Sequence, residues 1–324
     1  MKLLHPYAAL TAIAALSTAL QAAPAPSAAE EVTAPASALR IGSGPDGKLY
    51  QLLVRDMQSV CGSEVPIVNI PTVGGIPNLM GLSANQMDLG IVQLDTLREI
   101  GKDGDENIQT LQAVLPLHTN LLHILSMRDG YRVGETETGL TAAWKRLVTR
   151  EVGYVRKFSD LKGLKVAAVG STILLGQRLN EQGVMNMDLR KAETDEEAIR
   201  MLRDNKVQAV FTDGGWPLPS IARYKSDSGL MLVEYDLPAP YPFVVAKRNY
   251  QNLDAYNLKF LGSPNLLVTR PFKPGGELGK RVLALQACLL RHLEELQEGH
   301  YQAAWKEIKS PTETLGIARF GKAH

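Results

Sequence analysis

The sequence predicts an α/β protein of two lobes, each a mostly parallel sheet flanked by helices, with hinge strands joining them. Three observations carry this. Short apolar strands alternate with amphipathic helices in the first half of the chain. The alternation restarts near residue 161, and two late strands, "YPFVVA" and "NLLVTR", come after the second group and can return to the first. Repeated βα units place parallel strands between helices on both faces.

"ALRIG" (38–42) is a short strand that runs into the glycine loop "GSGPDG". Leu49, Leu52, Leu53, Met57 and Val60 then recur at helical spacing, and Cys61-Gly62 closes that helix. "VPIVNI" (65–70) is the second strand, and "TVGG" (72–75) opens a helix through Leu82. "MDLGIVQ" (87–93) and "LLHILSM" (121–127) are the third and fourth strands, the latter apolar enough to be buried. In the second group "LKGLKVAAVG" (161–170) leads into the helix "TILLGQRLNEQG". Thr194 with Glu197 three residues on forms a capping box for the helix of "TDEEAIRMLRDNK", and "VQAVFTDGG" is the next strand. The C-terminal "GELGKRVLALQACLLRHLEELQEG" reads as one long amphipathic helix.

The ends of the chain bear on its destination. Lys2 followed by an uncharged apolar run to Ala22 reads as a signal peptide, shorter in its apolar core than the ~20 residues that span a bilayer. Residues 23–38, rich in Ala and Pro, read as a disordered tether. The expectation is therefore an exported, periplasmic protein, with lobe I at 39–127 plus 248–324 and lobe II at 128–247. Cys61 and Cys288 are its two cysteines; export permits a disulfide between them without establishing one. A net charge of +1 gives no footprint for nucleic acid.

The glycine loop satisfies two phosphate-binding patterns on paper. A Walker A loop needs Ser or Thr after the lysine to ligate Mg²⁺, and here that position is Leu49. A dinucleotide site needs an acidic residue at the end of the second strand, which here ends Asn69-Ile70-Pro71. Neither nucleotide is expected as a cofactor. What remains is the mechanism the two motifs share, an anion held by free backbone N–H groups at a helix N-terminus. Four turns repeat that arrangement: "GSGPDG", "TVGG", "VGST" (169–172, with Ser171 and Thr172) and "DGGWP" (213–217). In open α/β sheets such turns collect at the carboxyl edge of the strands, where ligands bind.

Enzyme signals are poor. There is no G-x-S-x-G elbow, and His118 and His123, five apart on a strand, point to opposite faces and cannot share a metal. His292 and His300 fall in or near an amphipathic helix as surface residues. Neither a catalytic constellation nor a metal site is expected.

"LRIGSGPDGKLYQLLVRDM", "TVGGIPNLMGLSANQMDLGIVQLD", "DNKVQAVFTDGGWPLPSI" and "GSPNLLVTR" resemble, in order and spacing, the TAXI family of TRAP-transporter solute-binding proteins. The resemblance covers most of the chain from Leu39 onward. It implies a type II periplasmic-binding-protein fold that captures a small organic anion or amino acid between its lobes and delivers it to a TRAP-type membrane permease. It further implies ligand contacts from Gly44, Tyr50, Thr72, Val73, Gly74, Gln93, Asp95, Asp213, Gly214 and Trp216. Tyr50 and Trp216 would be walls, Gln93 and Thr72 polar anchors, and one of the aspartates a partner for a ligand ammonium. Two features depart from the family pattern: Ile173 and Leu174 crowd the second-lobe glycine turn, and residues 131–157 look like an insertion. The rival reading is a periplasmic sensing or assembly protein that presents that insertion to a partner.

Overall fold

The computed structural model describes residues 38–102, 104–133 and 152–321, all within one compact unit. The leader, nearly all of the tether and most of the 131–157 insertion lie outside the described residues.

The first group consists of β1 (Leu39–Gly42), α1 (Leu49–Cys61), β2 (Ile67–Ile70), α2 (Gly75–Ser83), β3 (Leu89–Gln93), α3 (Leu94–Lys102) and α4 (Glu106–Gln109). Its strands are parallel, in the order β2-β1-β3. All five residues of β3 are buried, as expected for a strand covered on both faces. β4 (Gln112–Met127) then leads, past the short pair β5 (Tyr131–Arg132) and β6 (Val152–Gly153), to the second group. That group holds β7 (Lys165–Val169), α5 (Thr172–Glu181), β8 (Asp188–Ala192), α6 (Asp195–Arg203), β9 (Ala209–Gly214), α7 (Pro219–Ala222) and β10 (Leu230–Leu232). β9, β7 and β8 are again parallel. β11 (Val244–Tyr250) and β12 (Ala255–Thr269) follow, and α8 (Glu277–Arg291) and α9 (Leu293–Glu298) come near the end of the chain.

The two groups are joined by two long antiparallel strands. β4 pairs with β12 over its first half and with β9 over its second, while β12 pairs with β3 over Asn265 to Thr269. The result is the expected α/β architecture of two mostly parallel βα groups with strands crossing between them. The hydrophobic cores run along those strands. Leu121, Leu122, Ile124 and Leu125 of β4, and Tyr250, Leu253, Phe260 and Leu261 around β12, pack with the second group.

Cys61 at the end of α1 and Cys288 in α8 form a disulfide, both fully buried, with Cα atoms 6.0 Å apart. It closes a long loop, and such bridges typically contribute about 2–4 kcal/mol. The single C-terminal helix expected from the sequence is two, separated at His292, whose Nδ1 lies 2.7 Å from Glu295 in the next turn. The capping box of α6 is half realised. Thr194 accepts the Glu197 N–H at 3.1 Å, but the Glu197 carboxylate takes the N–H of Glu193 rather than that of Thr194.

Candidate binding site

The carboxyl ends of β3 and β9 face each other across the junction of the two groups. Gln93 is the last residue of β3, and its Nε2 donates to Oδ2 of Asp213 near the end of β9. Ser171, at the start of α5, donates to the same oxygen at 3.2 Å, and Asn120 Nδ2 stands 3.5 Å from it. All three donors are neutral, and among the described residues no hydrogen bond reaches Asp213 Oδ1 and no cation pairs with the carboxylate. Burial pushes the Asp213 carboxyl up to about 6; the negative charges of Asp95 and Asp195 add to the shift, and the Gln93 hydrogen bond opposes it.

A closed ring of hydrogen bonds holds Asn120 in place. The neutral His118 ring reaches Asn120 Oδ1 through Nε2 (2.9 Å), which turns Asn120 Nδ2 toward the Tyr50 hydroxyl (3.1 Å). Tyr50 donates to Asn265 Oδ1 (2.5 Å), and Asn265 Nδ2 donates back to the His118 carbonyl (3.0 Å). His118, Asn120 and Asn265 are buried polar groups with partners, so the ring fixes the direction of each amide. Burial lowers the His118 pKa to about 4, which keeps the ring neutral. Burial, with the nearby Asp213 charge, raises the Tyr50 phenol well above its usual value and keeps its proton in place.

The second carboxylate is Asp95, in the first turn of α3, which accepts from Ser263 Oγ of β12. Burial raises its pKa against that hydrogen bond. The two groups touch along this line. A Cβ on Gly215 would press on the end of the Leu49 side chain of α1, so the two segments run close there. The cavity enclosed by Gln93, Asp95, Asn120, Ser171, Asp213 and Ser263 measures about 20 Å³. That is room for about one water, far below the ~300 Å³ of a small-molecule site.

The site residues expected from sequence divide into two sets. Tyr50, Gln93, Asp95, Ser171 and Asp213 come together here. Thr72 does not join them; its hydroxyl braces two loops, lying 3.0 Å from the Ser43 carbonyl and 2.8 Å from Asn78 Oδ1 while accepting the Gly74 N–H at 3.0 Å. Thr172 does line the cavity, although its hydroxyl is directed at the Val169 (2.7 Å) and Phe211 (3.2 Å) carbonyls. Val73 is 81% exposed. Trp216 points away, its indole N–H donating to the Asn249 carbonyl and Arg248 lying over its ring, so it is not a wall of this site. Gly44 and Gly214 are backbone positions where a Cβ would crowd Tyr50 and Leu218 respectively. The opening loop is largely closed on itself, the Gly47 N–H bonded to Gln51 Oε1 and the Lys48 N–H to the Pro45 carbonyl. The first turn of α1 has no side-chain cap. Sequence reasoning missed His118, Asn120, Ser263 and Asn265. Their signal was present as short polar stretches, His118-Thr119-Asn120 and Ser263-Pro264-Asn265, set between apolar strand runs.

No family model matches the chain, and no curated protein matches it. Solved structures resemble it in broad chain course. An arginine third-transport-system periplasmic binding protein from Legionella pneumophila is 15% identical, with 84% of this chain and 99% of that one covered at a TM-score of 0.47. An amino acid ABC transporter substrate-binding protein from Streptococcus pneumoniae, bound to L-arginine, is 13% identical, with 85% and 97% covered at 0.45. The GluR0 ligand-binding core with L-glutamate is 14% identical, with 78% and 94% covered at 0.41. With TM-scores below 0.5, no property of these proteins is carried over.

Proposed function

We propose that this chain is an extracytoplasmic solute-binding protein whose two βα groups part at the Gln93–Asp213 seam and close around a small amino acid. The carrying observation is Asp213: a buried carboxylate at the junction, surrounded by neutral donors that all reach one of its oxygens. A ligand ammonium at the other oxygen supplies the missing charge, and Asn120, Ser171 and Gln93 are placed to bind the rest of the ligand. This favours an amino acid over a plain organic anion. The 20 Å³ cavity supports motion, since a ligand of that class enters only if the groups separate. We place the crossings at 119–121 and 262–264, where β4 and β12 change partners. Delivery to a TRAP-type permease, and membership of the TAXI family, rest on the sequence resemblance alone. Export rests on the leader; among the described residues no helix is long and apolar enough to cross a membrane.

Isothermal titration of amino acids and their deaminated analogues against the wild type and Asp213→Asn tests the proposal. Losing one partner of a buried charge pair costs about 3–5 kcal/mol, so Asn should weaken amino acids by at least about a hundredfold and deaminated analogues far less. Equal losses for both classes sink the ammonium reading.

A further inference from the structure

A second cavity, of about 730 Å³, opens further along α3 from Asp95 and shares no lining residue with the seam cavity. Leu97, Ile108, Leu111, Pro271 and Ile317 give it apolar walls, and its size is that of an ordinary small-molecule site. Its charged lining is all of one sign: Arg98, Lys102 and Arg178, with no carboxylate among the lining residues. Glu99 stands next to it and neutralises part of this charge, with Lys102 Nζ at 2.8 Å. Its approach to Arg178 Nε is 3.7 Å, too long for a hydrogen bond.

The two guanidiniums flank Tyr241. Arg98 lies over its ring at 4.9 Å, and Arg178 Nη2 donates to its carbonyl at 3.1 Å. Arg98 Nη2 is also held, by the carbonyls of Leu315 (3.2 Å) and Gly316 (3.4 Å). That turn is built for close approach. Leu315 and Gly316 both have positive φ, and a Cβ at Gly316 would come within 2.9 Å of the Arg98 guanidinium and 3.2 Å of the Tyr241 hydroxyl. With the guanidiniums so fixed, three buried donors, Arg98 Nε and Arg178 Nε and Nη1, have no acceptor among the described residues. A buried donor without a partner is unfavourable, more so when it belongs to a charged group. The obvious complement is an anion with several acceptor oxygens.

We propose that this groove is a second ligand site, separate from the Asp213 site, for a small organic anion: a carboxylate or phosphate head at Arg98 and Arg178, and an apolar body against the walls of the groove. Because Arg98 belongs to the first group and Arg178 and Tyr241 to the second, an occupant links the two groups.

Side-chain ¹⁵N–¹H NMR of the arginine Nε–H groups tests this directly, with Arg98→Gln and Arg178→Gln providing the assignments. The probes are benzoate, inorganic phosphate and neutral benzamide. Benzoate should move both Nε–H signals and bind at least about tenfold more tightly than benzamide, as a charge-assisted contact requires. Arg178→Gln should weaken benzoate by about tenfold or more, and Ser171→Ala at the seam by less than about twofold. Should one arginine variant fail to fold, the other and the wild-type titration still decide. The proposal is overturned if neither benzoate nor phosphate at about 20 mM moves the two signals, or if benzamide binds as well as benzoate. It is equally overturned if Ser171→Ala, which removes a neutral donor of the seam, abolishes benzoate binding, which would assign the anion to the seam.

Discussion

Asp88 and Asp213 are two buried carboxylates with opposite surroundings. Asp88 lies just before β3 with its side chain 3% exposed, and it is gripped by Arg40 through Nη2 (2.9 Å), Nε (3.2 Å) and the backbone N–H (3.0 Å), and by Arg270 Nη2 (3.0 Å). Burial alone would raise its pKa, but these donors outweigh burial and lower it. Asp213, at the other end of the sheet's first-to-second-group path, has only neutral donors, and burial raises it to about 6. The first is a finished structural pair. The second is a charge still lacking its partner, which is the usual mark of a site rather than a strut.

Removing each carboxylate should therefore have opposite consequences. Asp88→Ala leaves two guanidiniums without their anion. Breaking a buried pair costs about 3–5 kcal/mol, and because Arg40 keeps contact with solvent the loss should be near about 3 kcal/mol. Urea unfolding measures it, and the affinity for ligand at the seam should be unchanged in the fraction that folds. A loss below about 1 kcal/mol would make this pair no better than a surface ion pair.

The pH dependence should differ in sign. Asp88, with a lowered pKa, contributes stability that is present above the ordinary carboxylate pKa and lost as pH falls through its own lower value. Asp213, with a raised pKa, keeps its proton in the folded state up to about pH 6, so the folded protein loses stability as pH rises from about 4 to about 6. Asp213→Asn should remove that slope and gain on the order of 2 kcal/mol relative to the wild type between pH 4 and pH 7. Parallel pH–stability curves for the two proteins would mean that Asp213 is already compensated.

The smallest effect should come from Trp216. It is 40% exposed and bonded to the Asn249 carbonyl, so Trp216→Phe should cost about 1 kcal/mol of stability or less and leave affinity within about twofold. A large loss of affinity would restore the indole as a wall of the site.

Most βα units were legible because their periods are clear: α1 and β3 fall within two residues of where the apolar spacing placed them. The long strands were not. β4 was read only from Leu121, because Pro116 interrupts its first half, and in the structure Pro116 and Pro264 sit beside a register shift between β4 and β12 that accommodates them. β8 escaped because "DLRKA" is mostly exposed and shows no apolar alternation. At the site, residues at the strand ends such as Gln93 and Asp213 were legible from the position of each turn. The His118–Asn120–Tyr50–Asn265 ring was not, since Tyr50 and Asn265 lie 215 residues apart and only folding brings them together.

The most direct test of the account is a pulsed electron–electron distance measurement across the seam, with spin labels at Val73→Cys in the first group and Lys191→Cys in the second. Both positions are exposed, and the native cysteines are already paired and will not take label. The account predicts two distance populations, with a millimolar mixture of amino acids enriching the shorter one and Asp213→Asn abolishing that enrichment. A single distance that the mixture leaves unchanged would contradict it.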